Sequence, residues 1–382
     1  MEDEVPTIAR YFKILNPETG CRYGTTHPIK GLSLLSMQEM EKIAIRDLSL
    51  EELTEKIVEI GDKKFRANQI HEWLWKKSAV SFEEMSNLSK ELRTLLEEKF
   101  EILPLQIDME QKSSDGTVKC RFQLHDGHFI EGVLIPTKHR MTACVSSQVG
   151  CNLGCTFCAT GFIKSKRNLQ PHEIYDQVVL LNKIAIKEHG QPLSNIVFMG
   201  MGEPLLNYKN VLEAINKITS EEGLNISAKR ITVSTAGLAK MIKKLGDDDV
   251  KFNLALSLHA ADDIKRSKLM PVNDANNLND LVEALNYFYE KTGNTITFEY
   301  ILFDGINESM EDAKNLVTLC ARVPAKVNII EYNAIREADF HKSKVEQREK
   351  FISFLEQHNV VAVVRRSRGK DIDAACGQLA NK

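Results

Sequence analysis

Three cysteines, Cys151, Cys155 and Cys158, lie close together in the stretch CNLGCTFC. Their spacing, C-x-x-x-C-x-x-C, supplies three thiolates, whereas a fully ligated iron–sulfur cube takes four. One iron would keep an open position, as a catalytic zinc does, and could chelate the amino and carboxylate groups of a bound cofactor. A structural zinc site needs further ligands at matched spacing, and the sequence has no second C-x-x-C pair. The spacing therefore predicts one 4Fe–4S cluster per chain, held by three cysteines.

The bulk properties indicate a large globular protein. The 382 residues are 43% hydrophobic, enough to bury a large core and more typical of two domains than of one. The net charge of −3 argues against non-specific nucleic-acid binding but allows a local basic site. The sequence contains no apolar run long enough to span a membrane, and its acidic N-terminus has no signal-peptide core. We expect a monomer in the reducing cytoplasm, where thiolates stay free.

Four regions follow one another along the chain. Residues 1–40 show weak periodicity and form an extension of unclear role, and residues 41–105 have helical patterns typical of a small accessory domain. Within that domain, Ser49 and Glu52 make a capping box before an apolar series. Residues 106–136 are a β-rich link in which two strand patterns flank a glycine turn, and residues 137–382 form the core.

The core alternates strand and helix patterns. Strands are predicted at 141–147, 195–202, 230–237, 251–259, 295–303 and 326–333, with a further strand at 360–367. Helices are predicted between them, for example at 172–189, 208–222, 278–292, 309–322 and 343–358. Such alternation produces parallel strands with crossover helices. Six units predict an α/β fold with a partial (βα)6 barrel, whose chemistry lies at the carboxyl ends of the strands.

Polar residues and glycines follow several of these strands. The turn GMGEP ends the second strand, and its Glu203 could meet the ammonium group of a cofactor. Each such residue alone is more often a loop cap, but together on one rim they predict a cofactor pocket. The predicted cofactor-binding residues are Gly202, Glu203, Ser234, Ser257, Leu258, His259 and Asn333.

Two further cysteines differ from the remaining ones. Cys144 lies seven residues before the triplet, and Cys376 lies among small residues in DIDAACGQL, a segment too polar for a core. A lone cysteine is usually an inert core residue, and we interpret Cys21, Cys120 and Cys320 in that way.

These motifs together resemble the RlmN/Cfr family of radical S-adenosylmethionine (SAM) rRNA methyltransferases. The resemblance runs from about residue 45 to 380, through EGVLIP, CVSSQVGCNLGCTFCATG, FMGMGEPLLN, RITVSTAG, SLHA, RSKLMPVN, FEYILFDGIN and RGKDIDAACGQLA. It implies a radical SAM barrel with a small N-terminal helical domain. One departure is Ala334 after Asn333, where the family commonly has proline.

The resemblance implies the chemistry in some detail. Two SAM molecules are used per turnover: one methylates Cys376, and the other yields a 5′-deoxyadenosyl radical that activates the methyl group for addition to C2 of an adenosine. Glu131 would remove the C2 hydrogen, and Cys144 would release the product through a transient disulfide with Cys376. The implied partners are 23S rRNA at the peptidyl-transferase region, the adenosine 3′ of the anticodon in some tRNAs, a low-potential flavodoxin- or ferredoxin-type electron donor, and a thiol reductant.

Basic clusters near these motifs predict contacts to RNA phosphates. They are Lys164, Lys166 and Arg167 after the cysteine triplet, and Arg365, Arg366, Arg368 and Lys370 before Cys376. The helical domain is a second expected RNA contact. Two alternatives stay open: Cfr-like methylation at C8 of adenosine, which the sequence FMGMGEPLLN disfavours, and an RNA-binding iron–sulfur protein without methyl transfer.

Overall fold

The computed structural model describes residues 42–381. The predicted N-terminal extension and Cys21 lie outside these residues. From Lys42 onward the chain forms one compact unit. None of the helices in residues 42–381 is long and apolar enough to cross a membrane.

The strands form one large sheet and two small ones. The ten-stranded sheet has the order β14-β13-β12-β11-β10-β9-β6-β5-β4-β3, and β1 pairs with β2 and β7 with β8. The strands are β1 (Ile43–Ala44), β2 (Phe100–Glu101), β3 (Gln106–Lys112), β4 (Val118–Gln123), β5 (Phe129–Thr137), β6 (Arg140–Cys144), β7 (Gln148–Val149), β8 (Arg167–Asn168), β9 (Asn195–Phe198), β10 (Ile231–Thr235), β11 (Asn253–Ser257), β12 (Ile296–Leu302), β13 (Ala325–Glu331) and β14 (Ala362–Arg365).

Seven consecutive strands of the sheet, from β6 to β14, run parallel to one another. Strands β3 to β6 pair antiparallel and extend the sheet beyond β6. Parallel strands require crossovers, which are usually helices. The helices are α1 (Leu50–Glu59), α2 (Phe65–His71), α3 (Lys90–Lys99), α4 (Pro171–His189), α5 (Tyr208–Thr219), α6 (Ala239–Asp247), α7 (Asp263–Leu269), α8 (Leu278–Thr292), α9 (Met310–Cys320) and α10 (Val345–Gln357), and one π-helix spans Glu72–Lys76.

The predicted architecture, a partial radical SAM barrel with a small N-terminal helical part, is confirmed. Both halves of the capping box form, since the Glu52 amide donates to Ser49 Oγ at 3.1 Å and the Ser49 amide donates to Glu52 Oε2 at 2.8 Å. The predicted hairpin is β4 and β5. Strand β3 was not predicted, because its sequence QIDMEQK is largely exposed and has no apolar face to mark it.

The helical segment before β3 packs on the barrel and shares its apolar core. Its main polar anchor is Arg46, whose Nη1 donates to both carboxylate oxygens of Asp176 on α4, at 2.7 and 2.9 Å. The guanidinium carbon also lies 4.6 Å from the ring centroid of Trp75. Tyr175, next to Asp176, donates its hydroxyl to the carbonyl of Trp75. Both members of the ion pair are nearly excluded from solvent, so each depends on the other.

Replacing Arg46 with alanine should lower the free energy of unfolding by about 3–5 kcal/mol, because Asp176 would remain as a buried charge without its partner. Urea denaturation of the purified chain measures this. The control is Lys56→Ala, which removes an exposed ion pair with Glu59 and should have no measurable effect. An Arg46→Ala chain as stable as the wild type would show that the anchor is unimportant.

Candidate active site

The cysteine triplet lies in a loop between β7 and β8, after the first parallel strand. The loop is closed by backbone hydrogen bonds, from the Cys151 amide to the Ile163 carbonyl at 2.9 Å and from the Gly161 amide to the Cys158 carbonyl at 2.8 Å. A Cβ atom at Gly161 would lie 2.7 Å from the carbonyl oxygen of Cys155, so only glycine fits there. The three half-buried thiols consequently line one cavity of about 890 Å³.

The thiols influence one another's protonation. Burial raises the pKa of Cys151 to about 11, and it also raises the pKa values of Cys155 and Cys158. The neighbouring thiols of the triplet add to the shifts of Cys151 and Cys155. Since metal binding requires thiolates, loading this site must release protons.

Glu203 lies in the wall of the same cavity, in the turn after β9. Its carboxylate is buried and accepts hydrogen bonds from the amides of Ala236, at 2.8 Å, and Leu205, at 3.1 Å. Burial raises the pKa of Glu203 to about 7. The preceding Gly202 has φ +92°, and a Cβ there would lie 2.5 Å from Cβ of Gln148, so the turn requires glycine.

Three other predicted residues line this cavity: Ser234, Ser257 and His259. The hydroxyl oxygens of the two serines are 3.5 Å apart at the ends of β10 and β11. Nδ1 of His259 accepts a hydrogen bond from the Ile301 amide at 3.1 Å, and burial lowers the pKa of His259 to about 3. The neutral ring therefore carries its proton on Nε2, because a backbone amide can only donate.

The remaining two predicted cofactor residues lie outside the cavity lining. Leu258 is fully buried in the apolar core. Asn333 is also buried, and its Nδ2 donates to the carbonyl of Cys376 at 3.3 Å. The structure thus gives Asn333 a contact with the C-terminal segment, next to the cavity that contains Cys376.

Arg266 on α7 was not predicted as a site residue, yet its hydrogen bonds connect the segments that form the rim of the first cavity. It is fully buried and donates four hydrogen bonds, to the carbonyls of Leu258, Ala236 and Ser257 and to Oδ1 of Asn273, at 3.2, 2.6, 3.2 and 2.7 Å respectively. Burial lowers its pKa to about 10, so it stays charged at neutral pH. The polar helix sequence DIKRSKL gives no local signal that this arginine is buried.

The C-terminal segment places Cys376 beside the cysteine triplet. The Ala159 amide donates to the Gly377 carbonyl at 2.7 Å, and the Thr160 hydroxyl donates to the Leu379 carbonyl at 2.6 Å. Gln378 Nε2 donates to the carbonyl of Ala334 at 3.0 Å. Cys376 consequently lines the first cavity together with the triplet.

A second cavity, of about 700 Å³, contains both Cys376 and Cys144. Both thiols are free. Burial raises the pKa of Cys144 to about 12; Cys376 adds to this shift and Arg365 opposes it. The pKa of Arg365 is in turn raised, first by Cys376 and then by Glu299 and Cys144. The guanidinium therefore lies close enough to stabilise a thiolate in this cavity.

Glu131 lines neither of these two cavities. It is completely buried on β5, where Oε2 accepts a hydrogen bond from the Ala380 amide at 2.8 Å. Its Oε1 is 3.5 Å from Nζ of Lys119, which is also buried. The C-terminal segment thus covers this carboxylate.

The first basic cluster is divided. Lys164 and Lys166 are exposed and form no ion pair with any residue that the structure describes. Arg167 instead contacts both oxygens of Glu173 at 2.7 Å, and its Nε lies 2.5 Å from Asp126. Arg167 therefore links the end of the cysteine-triplet loop to α4 through Glu173, and its expected phosphate contact stays a prediction.

Two family models match the chain. The ribosomal RNA large subunit methyltransferase N-terminal domain matches residues 43–102, and the radical SAM superfamily matches residues 145–317. A relative from Cytophaga hutchinsonii, "Probable dual-specificity RNA methyltransferase RlmN", is 60% identical over 90% of this chain and 94% of its own. The "Dual-specificity RNA methyltransferase RlmN 2" of Myxococcus xanthus is 47% identical over 89% and 91%. A radical SAM methyltransferase from Sphaerobacter thermophilus superposes with a TM-score of 0.84 at 41% identity, covering 89% of this chain and all of that one.

The parallel barrel and the thiol loop after its first strand, together with the superfamily match, define a radical SAM enzyme. The relatives and the N-terminal match narrow the class to RNA methyltransferases. The chain belongs to the RlmN family.

Membership implies a 4Fe–4S cluster and SAM, and the residues of the first cavity fit both. Three thiols on one cavity wall match three of the four irons of a cube. Within residues 42–381, no three His, Cys, Asp or Glu side chains are close enough together to hold a single metal ion. The ligands of a cube bind separate irons, so this finding leaves the cluster assignment unchanged.

Replacing Cys155 with alanine should prevent cluster assembly, because two thiolates cannot hold the cube. Iron and acid-labile sulfide analysis after anaerobic reconstitution should give about four irons per chain for the wild type and far fewer for the variant. The control is Cys320→Ala, which changes a half-buried thiol on α9 and should leave the iron content unchanged. Equal iron in Cys155→Ala and wild type would contradict the ligand assignment.

Proposed function

We propose that this chain methylates C2 of an adenosine in the peptidyl-transferase region of 23S rRNA and of the adenosine 3′ of the anticodon in some tRNAs. One observation supports this most strongly: Cys376 lines the cavity of the cysteine triplet and also the cavity that contains Cys144. A thiol in that position can take up a methyl group on one side and meet a resolving thiol on the other.

The cluster and SAM, when bound, supply the methyl group and the one-electron chemistry. Cys151, Cys155 and Cys158 would hold the cluster, while Glu203 would accept hydrogen bonds from the ammonium of SAM. A cation would favour the ionised form of Glu203, whose pKa is otherwise raised to about 7 by burial. Ser234, Ser257 and the Nε2–H of His259 are the other polar groups offered to the cofactor.

Cys376 is the proposed methyl carrier. Its sulfur would take the methyl group and then join the enzyme to C2 of the adenine through the methyl carbon. Asn333 and Gln378 hold the loop in which this thiol lies, through the carbonyls of Cys376 and Ala334. The hydrogen bond from Asn333 to the carbonyl of Cys376 supports a role for Asn333 in orienting this thiol.

Cys144 is the proposed resolving thiol. Its thiolate would attack the sulfur of Cys376, forming the disulfide while the bond from Cys376 to the methyl carbon breaks and that carbon takes up a proton. Arg365 is the nearby cation that favours a thiolate over a thiol. A thiol reductant must then restore both cysteines, and a low-potential electron donor must supply the cluster.

Glu131 is the proposed proton acceptor for the C2 hydrogen. Its carboxylate is covered by Ala380 and Asn381, which bind Glu131 Oε2 and the Phe129 carbonyl respectively. We therefore propose that residues 379–381 move aside when RNA binds, which exposes the carboxylate near the methyl carrier. The ammonium of Lys119, which is also buried, is its cationic neighbour at 3.5 Å from Oε1.

The competing functions differ in product. Cfr-like methylation would use the same cavities but place the methyl group on C8, and an RNA-binding protein without methyl transfer would yield none. The shared lining by Cys144 and Cys376 favours methyl transfer, since binding alone does not require two thiols in one cavity.

Incubation with 23S rRNA or tRNA transcripts, SAM and a reductant, followed by mass spectrometry of the digested nucleosides, tests the proposal. We expect 2-methyladenosine from both RNAs with the wild type and none with Cys376→Ala. Cys120→Ala, which changes a buried thiol on β4, is the control and should retain product. An 8-methyladenosine product would assign the Cfr-type reaction, and product from Cys376→Ala would contradict the role of that thiol.

A further inference from the structure

A third cavity, of about 1430 Å³, lies inside the barrel toward the amino ends of the parallel strands. Residues at the middle of β6 and near the starts of β9, β10, β12 and β13 line it, namely Thr142, Asn195, Thr232, Thr297 and Lys326. The cysteine triplet follows the opposite, carboxyl end of β6. Neither the predicted cofactor residues nor the predicted thiols belong to its lining.

The charge of this cavity is strongly positive. Five of its lining residues are cationic, namely Arg140, Lys326, Arg365, Arg366 and Arg368, and Glu299 is its one acidic lining residue. In the described part of the chain, Arg140, Lys326 and Arg366 form no ion pair, and all three are exposed. Surface cations are usually solvated singly, whereas here three unpaired ones converge on a concave site. Such a site attracts a polyanion.

The third cavity adjoins the first cavity, which the cysteine triplet and Cys376 line, and the second cavity, which contains Cys144 and Cys376. Met199 and Arg365 line all three, and Nη1 of Arg365 lies 3.3 Å from Sδ of Met199. Ile135, Arg366 and Arg368 are shared with the cavity of Cys144 and Cys376. Met199 and Arg365 are therefore part of the wall that the third cavity shares with both cavities that Cys376 lines.

The rim of the third cavity also offers apolar surface. Val363 and Val364 on β14 line it and are exposed, and their neighbour Val361 is 64% exposed. β14 is an edge strand of the sheet. Single-stranded nucleic acid is bound in positively charged grooves that track its backbone. The exposed valines add apolar surface beside such a groove. A small anion would use the cations but not the valines.

We propose that this third cavity is the entrance for the RNA, with Arg140, Lys326 and Arg366 binding phosphates next to the target adenosine while its base passes Met199 and Arg365 to reach the thiols. The proposal rests on the proposed function, from which it takes RNA as the substrate. Enzymes that modify a base must take it out of its stack, so a narrow path that admits one base suits this reaction.

The test is the triple variant Arg140→Glu/Lys326→Glu/Arg366→Glu. Binding of a fluorescein-labelled tRNA transcript should weaken at least about tenfold, and the slope of log K against log salt should fall by about 2, for three lost contacts to single-stranded RNA. The matched control is Lys183→Glu/Lys240→Glu/Lys350→Glu on the outer helices α4, α6 and α10, whose lysines are exposed and unpaired among residues 42–381. It should bind like the wild type.

Methylation of Cys376, measured as a one-methyl increase in protein mass without RNA, should be unchanged in the double variant Arg140→Glu/Lys326→Glu, whose two residues line the third cavity and neither of the other two. Circular dichroism compares the folding of the triple variant with that of the wild type. If the triple variant bound RNA as tightly as the wild type, the proposed RNA entrance would be wrong, while the proposed function would be unaffected. If the triple variant bound RNA like the wild type but its cluster was reduced more slowly by an acidic electron-transfer protein, the third cavity would be the docking site for that electron donor. A wild-type enzyme that neither binds nor methylates RNA would instead overturn the proposed function, and the entrance with it.

Discussion

The buried guanidinium of Arg266 is the interaction on which the geometry of the site depends. It donates to carbonyls just beyond β10 and at the end of β11, and to Asn273 in the following loop. A buried cation is stable only when its donors are paired, so these segments must keep their relative positions. Those positions place Ser234, Ser257 and His259 on one wall of the cavity. The rim is therefore held by backbone carbonyls at the ends of two strands, β10 and β11.

The second constraint is the return of the chain's end to the cluster loop. The Ala159 amide and the Thr160 hydroxyl donate hydrogen bonds to the segment that carries Cys376, so two regions more than 200 residues apart meet at one cavity. The same segment covers Glu131. A movement of this one segment would consequently change both the position of Cys376, the proposed methyl carrier, and the access to Glu131, the proposed proton acceptor. Arg365 lines the third cavity and both cavities that Cys376 lines, so the proposed RNA entrance and the thiols share this residue.

Local patterns predicted the parts of this structure that local forces determine. The capping box, the alternation of strands and helices and the cysteine loop all follow from short-range spacing. Arg266 and Asn333 could not be placed in this way, because their partners come from other strands. Arg167 has the sequence context of a phosphate ligand, yet Glu173 and Asp126 neutralise it. Glu131 was predicted from its motif alone, and only tertiary structure shows that the chain's end covers it.

We propose that Cys376 carries the methyl group and that Cys144 releases the product. The most direct test of this two-thiol account is denaturing gel electrophoresis of Cys144→Ala after reaction with tRNA transcript, SAM and reductant. Without a resolving thiol, the account predicts a covalent protein–RNA conjugate through Cys376, which should be absent from the wild type and from the double variant Cys144→Ala/Cys376→Ala. Multiple turnovers of free methylated RNA from Cys144→Ala, with no conjugate, would contradict it.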